Sequence, residues 1–493
     1  MFNRSAGILL PISSLPSNYG IGTFGRAAYE FVDFLNKSGQ KYWQVLPLGP
    51  VSYGDSPYSP FSIYAGNPYY IDLDILIEDS ILSKEELKSL DCCYYDEKSI
   101  DYENLFYTRF KVLKKAYYNA NKKYKEEISS FVKSNNWVCE YALFMSLKYK
   151  NNQLPWSDWD KLESELNSNT ISLVKIELKE DIDFWIFLQY LFYKQYFNLK
   201  EYANGKGIKI IGDIPIYAAE DSADVWASSN VFLMDHNKIP IKVAGVPPDA
   251  FSSEGQLWGN PVYNWEYLKG TSYRWWCDRI IWTLKLYDVV RLDHFRGFDE
   301  FWGVNYGSPN AVNGLWMPAY GYELFKKLKL YFEDVKIIAE DLGIITDSVV
   351  KLRNNYKFPG MKIFQFAFDG NKNNPYLPNN YEDNSVAYTG THDNDTLLGW
   401  YDNLNDSEKK DVLNYLDTKK DDNINYKIIN SLYMSKSNLC IIPLQDFLCI
   451  GSEARINTPS TVGGNWVWRV KKETLTDELS EKINNMVNKS KRI

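Results

Sequence analysis

Six cysteines in 493 residues, scattered at positions 92, 93, 139, 277, 440 and 449, supply neither a C-x-x-C pair nor a disulfide framework. Histidine is scarcer still, and three of them do not make a histidine-rich metal centre. No stretch approaches the ~20 consecutive apolar residues of a membrane helix. The longest apolar run near the N-terminus, 7–12, is too short for the core of a secretion signal. Positive charge is also in short supply. With 55 Lys+Arg against 63 Asp+Glu the net charge is −8, and no basic block offers the stripe that a nucleic-acid partner requires. A phosphate loop and a G-x-S-x-G elbow are missing. Gly20, Gly22 and Gly25 match G-x-G-x-x-G, but they lie roughly ten residues beyond the nearest strand and no acidic ribose partner follows, so a dinucleotide site is not expected. The expectation from these absences is a cytoplasmic enzyme with no nucleic-acid or membrane partner.

What the chain does have is ordinary globular composition, 45% hydrophobic and 24% charged, with an aromatic share of 16% that calls for a reason. Short apolar runs of strand length recur at 6–12, 42–46, 208–213, 287–293, 335–340, 361–368, 386–391 and 439–444. Near-continuous Ile/Val/Leu runs suit strands buried on both faces. Helical patterns at 27–36, 273–284, 322–330 and 407–416 separate them. This alternation predicts the α/β class, a single (β/α)8 TIM barrel over 1–493 with large inserted subdomains. One insertion, about 75–180 between strands two and three, is charged, poor in Gly and mostly helical in period. The other, about 218–272 between strands three and four, is rich in Gly, Pro, Asn and Trp. Loops this long inside one domain are usually functional or subdomains. A charged amphipathic helix follows Trp468.

In such barrels chemistry sits at the C-terminal ends of the strands. Those ends carry Asp213 (strand three), Arg291, Asp293 and His294 (strand four), Glu340 and Asp341 (strand five), and His392, Asp393 and Asp395 (strand seven). Any one acid here could simply cap the next helix. Four acidic strand ends together, with charge inside a buried strand, are not explained by capping. Residues two apart on a strand share a face, so Arg291 and Asp293 should both point into the barrel mouth. Burying that pair carries a desolvation cost without a stability motive. Arg291 should keep Asp293 ionised as a nucleophile, whereas Glu340 follows an apolar strand, where desolvation raises the pKa as a general acid requires. Asp393 makes a third carboxylate, placed to hold charge or orient substrate. Two carboxylates with separated pKa values are the requirement for breaking a glycosidic bond.

Aromatic residues gather in the same loops: Tyr53, Tyr58, Tyr64, Tyr69 and Tyr70 after strand two, then Phe251, Trp258, Tyr263 and Trp265. Aromatics in helices are expected in the core. Tyr58, Phe251 and Trp258, flanked by Gly, Pro, Ser and Asp, are expected to stack on sugar rings. The segment 245–265, GVPPDAFSSEGQLWGNPVYNW, interleaves turn residues and aromatics as an active-site flap would.

Eight blocks in order, SSLPSNYGIGTFG, LPLGPVSYGDSPYSPFSIYAGNP, GDIPIYAAEDSADVW, VAGVPPDAFSSEGQLWGNPVYNW, VVRLDHFRGF, IAEDLG, TGTHDNDT and EARINTPSTVGGNWVWR, resemble glycoside hydrolase family 77, the 4-α-glucanotransferases of the α-amylase clan. The resemblance spans nearly the whole chain and is weakest over about 75–179. It implies Asp293 as nucleophile, Glu340 as general acid/base and Asp393 as stabiliser of the oxocarbenium-like transition state. It further implies that Arg291 supports Asp293, that His392 and Asp213 bind sugar hydroxyls, and that Ser56, Tyr58, Asp249, Phe251, Gln256, Trp258 and Asn465 line a glucan groove. The substrates implied are α-1,4-glucans and maltooligosaccharides, with glucose as an acceptor and no cofactor or metal. A hydrolase of the same clan would carry the same carboxylates. A glucan-binding protein on an inherited barrel would have lost one of them, and none is lost.

Overall fold

The computed structural model describes residues 2–52, 54–91, 96–120, 123–165, 168–248, 252–332, 335–419 and 422–492. Eight parallel strands close into a barrel: β1 (Ser5–Leu9), β2 (Tyr42–Gln44), β3 (Lys209–Ile214), β6 (Val289–Leu292), β9 (Ile337–Ala339), β10 (Gly360–Ile363), β11 (Ser385–Tyr388) and β12 (Leu439–Pro443). Four further strands, β4 (Lys242–Val246), β5 (Gln256–Pro261), β7 (Glu300–Asn305) and β8 (Gly314–Pro318), form an antiparallel sheet in the order β5-β4-β7-β8. Every apolar run read from the sequence holds one barrel strand. The run at 361–368 yields only three strand residues, because Phe364–Phe366 turn into a 3-10 helix directly after β10.

The alternation along each strand builds two cores. Leu439 and Ile441 of β12, Val289 of β6, Ile211 of β3 and Val386 of β11 pack together inside the barrel. Cys440 and Ile442, Val290 and Leu292, and Ile210 face the other way, into the core shared with the surrounding helices. On this alternation Arg291 lies on the same face as Val289, and Asp213 on the same face as Ile211. The parallel register pairs Asp213 with Arg291 directly. One step below, the Tyr388 hydroxyl donates to Gln44 Oε1 at 2.9 Å. The interior therefore turns from apolar to polar on approaching the mouth. Gly212 is demanded by packing: a Cβ there would lie 2.1 Å from the Tyr287 ring.

Between β2 and β3 the described chain is dominated by helices, among them Tyr102–Ala120, Trp137–Lys150 and the 27-residue Lys179–Gly205. The last of these also fixes the loop after β2. Gln189 exchanges two hydrogen bonds with the backbone of Gly66, at 2.8 and 2.9 Å, and Gln195 does the same with Asp72, at 2.7 and 3.1 Å. A primary amide is the side chain that can donate and accept at one peptide group. The Gly/Pro/Trp-rich stretch after β3 supplies β4 and β5. Its sheet is completed by the hairpin β7–β8, which leaves the barrel after β6 and places Trp302 opposite Trp316, ring centres 5.3 Å apart.

Candidate active site

At the C-terminal ends of the barrel strands opens a cleft of about 420 Å³. Asp293 and Glu340 line it from adjacent strands, each following directly on a paired position, Leu292 and Ala339. His294 sits in the left-handed region, φ 45°, and its amide donates to Glu340 Oε2 at 2.6 Å. That turn aims a backbone donor back at the neighbouring strand's carboxyl. Asp393 enters from the loop after β11. It accepts from Asn457 Nδ2 at 2.6 Å and lies 3.3 Å from His392 Nε2.

Electrostatics beneath the cleft differ from the sequence expectation. Arg291 does not serve Asp293 alone. Its Nη1 contacts both oxygens of Asp213, at 2.8 and 2.7 Å, and Asp293 Oδ1 at 3.1 Å. Burial, only partly offset by the shared guanidinium and reinforced by Asp213 and Asp393, pushes the Asp293 carboxyl up to about 7. Glu340 is raised well above the ordinary carboxyl range, first by burial, with Asp293 adding to the rise against Arg291. One negative charge between the two therefore resides on Asp293, which touches the guanidinium, and the proton stays on Glu340. The separation that acid and nucleophile need is present, though desolvation rather than an ionised Asp293 sets its scale. His392 and His294 are held neutral chiefly by burial, His294 down at about 4.

Other side chains singled out in the sequence fall around these carboxyls. Tyr58 donates to Asp213 at 2.8 Å and stacks on His392, ring centres 4.9 Å apart and 17° from parallel. Ser56, Gln256 and Trp258 line the cleft, Trp258 standing edge-on to His294 at 4.9 Å. Asp213 lies behind the wall, fully engaged by Arg291 and Tyr58. Asn465 is not on the lining: its Oδ1 accepts from Thr458 N at 2.9 Å and its Nδ2 donates to Thr461, closing the loop 458–465. Asp249, Phe251 and Tyr53 lie outside the described residues.

The 4-alpha-glucanotransferase model of glycoside hydrolase family 77 matches residues 10–476. A 4-alpha-glucanotransferase of Clostridium butyricum is 52% identical over 476 residues, covering 96% of this chain and 97% of its own. The chain belongs to that family. An amylomaltase from Streptococcus agalactiae, solved in complex with acarbose, superposes with a TM-score of 0.97 at 42% identity, with 99% of each chain covered. An amylomaltase from Corynebacterium glutamicum, 17% identical, shares the fold at a TM-score of 0.79 over 99% of this chain and 75% of its own. The activity is that of the family, 4-alpha-glucan transfer.

Several residues of this glucanotransferase cleft escaped sequence reading. Asn457 and Trp466 come from the segment after β12, and Trp466, φ 64°, packs its ring 5.8 Å from both Tyr58 and His392. Arg455 donates from Nη2 to the Asp393 carbonyl at 2.7 Å. The block EARINTPSTVGGNWVWR contained all three, but nothing in its composition says which side chain turns toward Asp393. At the opposite end of the barrel a larger cavity, about 710 Å³, lies among Lys209, Lys336 and Lys357. It is remote from the carboxyls and at the face where barrel enzymes do not carry their chemistry. Among the described residues no helix is long and apolar enough to cross a membrane, and no cluster of potential ligands could hold a metal ion.

Proposed function

We propose that this enzyme transfers segments of α-1,4-glucans and maltooligosaccharides by double displacement with net retention, to the 4-hydroxyl of glucose or another maltooligosaccharide. Asp293 attacks the anomeric carbon while Glu340 gives its proton to the departing 4-oxygen, releasing the reducing-end piece. The acceptor's 4-hydroxyl then surrenders its proton to Glu340 as its oxygen displaces Asp293 from the anomeric carbon. Asp393, steadied by Asn457, faces the positive charge that builds on the ring in both transition states. Arg291, Tyr58 and His392 hold the ring's hydroxyls and the nucleophile in place.

The observation that carries this reading is the placement of Asp293 and Glu340. They follow paired positions on adjacent parallel strands, which run about 4.8 Å apart. That spacing suits the ~5–5.5 Å carboxyl separation of retaining enzymes and not the ~6.5–9.5 Å of inverting ones. Aromatic and histidine rings around the cleft favour a sugar over water at the intermediate, which is what transfer in place of hydrolysis demands.

The test uses Glu340→Gln with α-maltosyl fluoride, whose leaving group needs no general acid. A maltosyl adduct should accumulate on the peptide carrying Asp293, detected by mass spectrometry. An adduct elsewhere, or products of inverted anomeric configuration, would remove the proposal. With the unaltered enzyme, maltotriose should give glucose and a ladder of longer maltooligosaccharides at nearly constant reducing ends. Rising reducing ends would mean a hydrolase.

A further inference from the structure

A second cavity, about 400 Å³, opens on the flank of the barrel between the helices Trp137–Lys150 and Arg274–Leu286. It has nearly the volume of the catalytic cleft, lies within the ~300–1,000 Å³ range of small-molecule sites, and shares no lining residue with that cleft. Five aromatic side chains line it: Tyr64, Trp137, Tyr141, Trp275 and Trp282. Between them stand hydrogen-bonding groups of both kinds, the amides of Asn135 and Asn136 and the carboxylates of Glu140, Asp224 and Asp278. Two polar atoms of this wall, Trp137 Nε1 and the Tyr141 hydroxyl, have no hydrogen-bond partner among the described residues. Unpartnered buried donors are uncommon and costly in a settled structure.

Charge decides what class of ligand fits. Aromatics with carboxylates could form a cage for an organic cation, but here positive charge already stands near each carboxylate. Asp278 lies 3.5 Å from Arg274, Asp224 feels Arg279, and Glu140 feels Lys175, while Lys285 adds a positive charge to the lining itself. These four cations offset much of the charge of the three carboxylates and leave a cation little to neutralise. Flat apolar faces, acceptors and donors together suit a neutral molecule that has an apolar face and a rim of hydroxyls. We propose that this flank cavity is a second carbohydrate site, separate from the catalytic cleft, taking a short neutral α-glucan such as maltose or maltotriose. The choice of an α-glucan rests on the function proposed above; the site itself rests on the cavity. The chain between the two is continuous. Ser56 and Tyr58 line the cleft, Ser62 and Tyr64 line the cavity, and Asp224 pins the segment by accepting from Ile63 N at 2.8 Å.

The experiment titrates maltotriose calorimetrically into Glu340→Gln protein, where it should persist intact. Two binding events per chain are expected. Filling the cavity with Ser228→Trp should leave one event, and the exposed pair Asn136→Ala with Glu140→Ala should weaken the same event at least tenfold if the larger side chain disturbs folding. In the unaltered active site, Ser228→Trp should keep glucose release from maltotriose within about twofold. A single event that survives both variants overturns the proposal. So does competition for the second event by choline chloride, which would make the cavity a cation cage. Residual turnover in Glu340→Gln, read by chromatography, would count against the role given to Glu340 and not against the cavity; the stoichiometry is then read with a sulfur-linked maltotriose.

Discussion

Replacing Asp213 with Asn tests the electrostatic reasoning at its most specific point. Arg291 Nη1 touches Asp213 at 2.7 Å and Asp293 at 3.1 Å, so the nearest carboxylate oxygens of the two acids are no more than roughly 5.8 Å apart. At an effective dielectric of ~20, two unit charges at that distance repel by about 3 kcal/mol, equivalent to about 2 pH units. Asp213 is one of the groups that raise Asp293. Its loss removes a negative neighbour and leaves the guanidinium wholly to Asp293, so the Asp293 carboxyl should ionise at lower pH. The assay is kcat/KM for glucose release from maltotriose across roughly pH 4–9, which reports the free enzyme. The acid limb of the bell should move down by about 1–2 units. The basic limb, set by Glu340, should stay nearly fixed, because Glu340 is governed by its own burial, Arg291 and Asp293. The height should fall as well, since Tyr58 loses a charged partner, but height is not the test. An acid limb that stays in place or moves up would refute the shared-guanidinium account.

Two further outcomes follow from hydrogen bonds near the cleft. Asn457→Ala removes the 2.6 Å bond to Asp393 Oδ1; a bond to a half-exposed carboxylate contributes about 1–2 kcal/mol, so kcat should drop roughly 5- to 30-fold with KM little changed, measured by steady-state kinetics on maltotriose. Asp446 is buried, accepts from Thr389 Oγ1 and from Leu397 N, and is pushed up to about 7 by burial. Its unfolded value is about 3.9, so the folded chain holds the proton more tightly. The stability this contributes is full below about pH 4 and falls by about 1.4 kcal/mol per pH unit until pH passes about 7. The melting temperature of the unaltered protein should accordingly fall relative to Asp446→Asn between about pH 5 and 7, then run parallel above; parallel curves throughout would show that Asp446 does not titrate in that range.

Much of this molecule was legible in the linear chain because burial on both faces leaves a visible trace. Eight apolar runs mark eight barrel strands, since a strand enclosed by side chains within and helices without has no polar face to break the run. Acids at the ends of such runs stood out for the same reason. The hairpin β7–β8 escaped notice: it is short, partly exposed, and its alternation spans only five or six residues before Gly and Pro interrupt it. The sheet it completes with β4 and β5 joins segments from either side of a barrel strand, a pairing that local pattern does not encode.

The site divides in the same way. Sequence by itself determined which carboxyls stand at the barrel mouth, because strand ends and the period of two fix both position and face. Only the tertiary structure decided how their charges are shared. Arg291 is two residues from Asp293 in the chain, yet it makes two of its three carboxylate contacts with Asp213, 78 residues away on the neighbouring strand. Asn457 reaches Asp393 across 64 residues, and Asn465, in the same block, turns back on its own loop. Side-chain identity and spacing along one strand are local properties that survive in one dimension. Desolvation and the partner of a charge are sums over everything nearby, and they exist only once the chain has closed on itself.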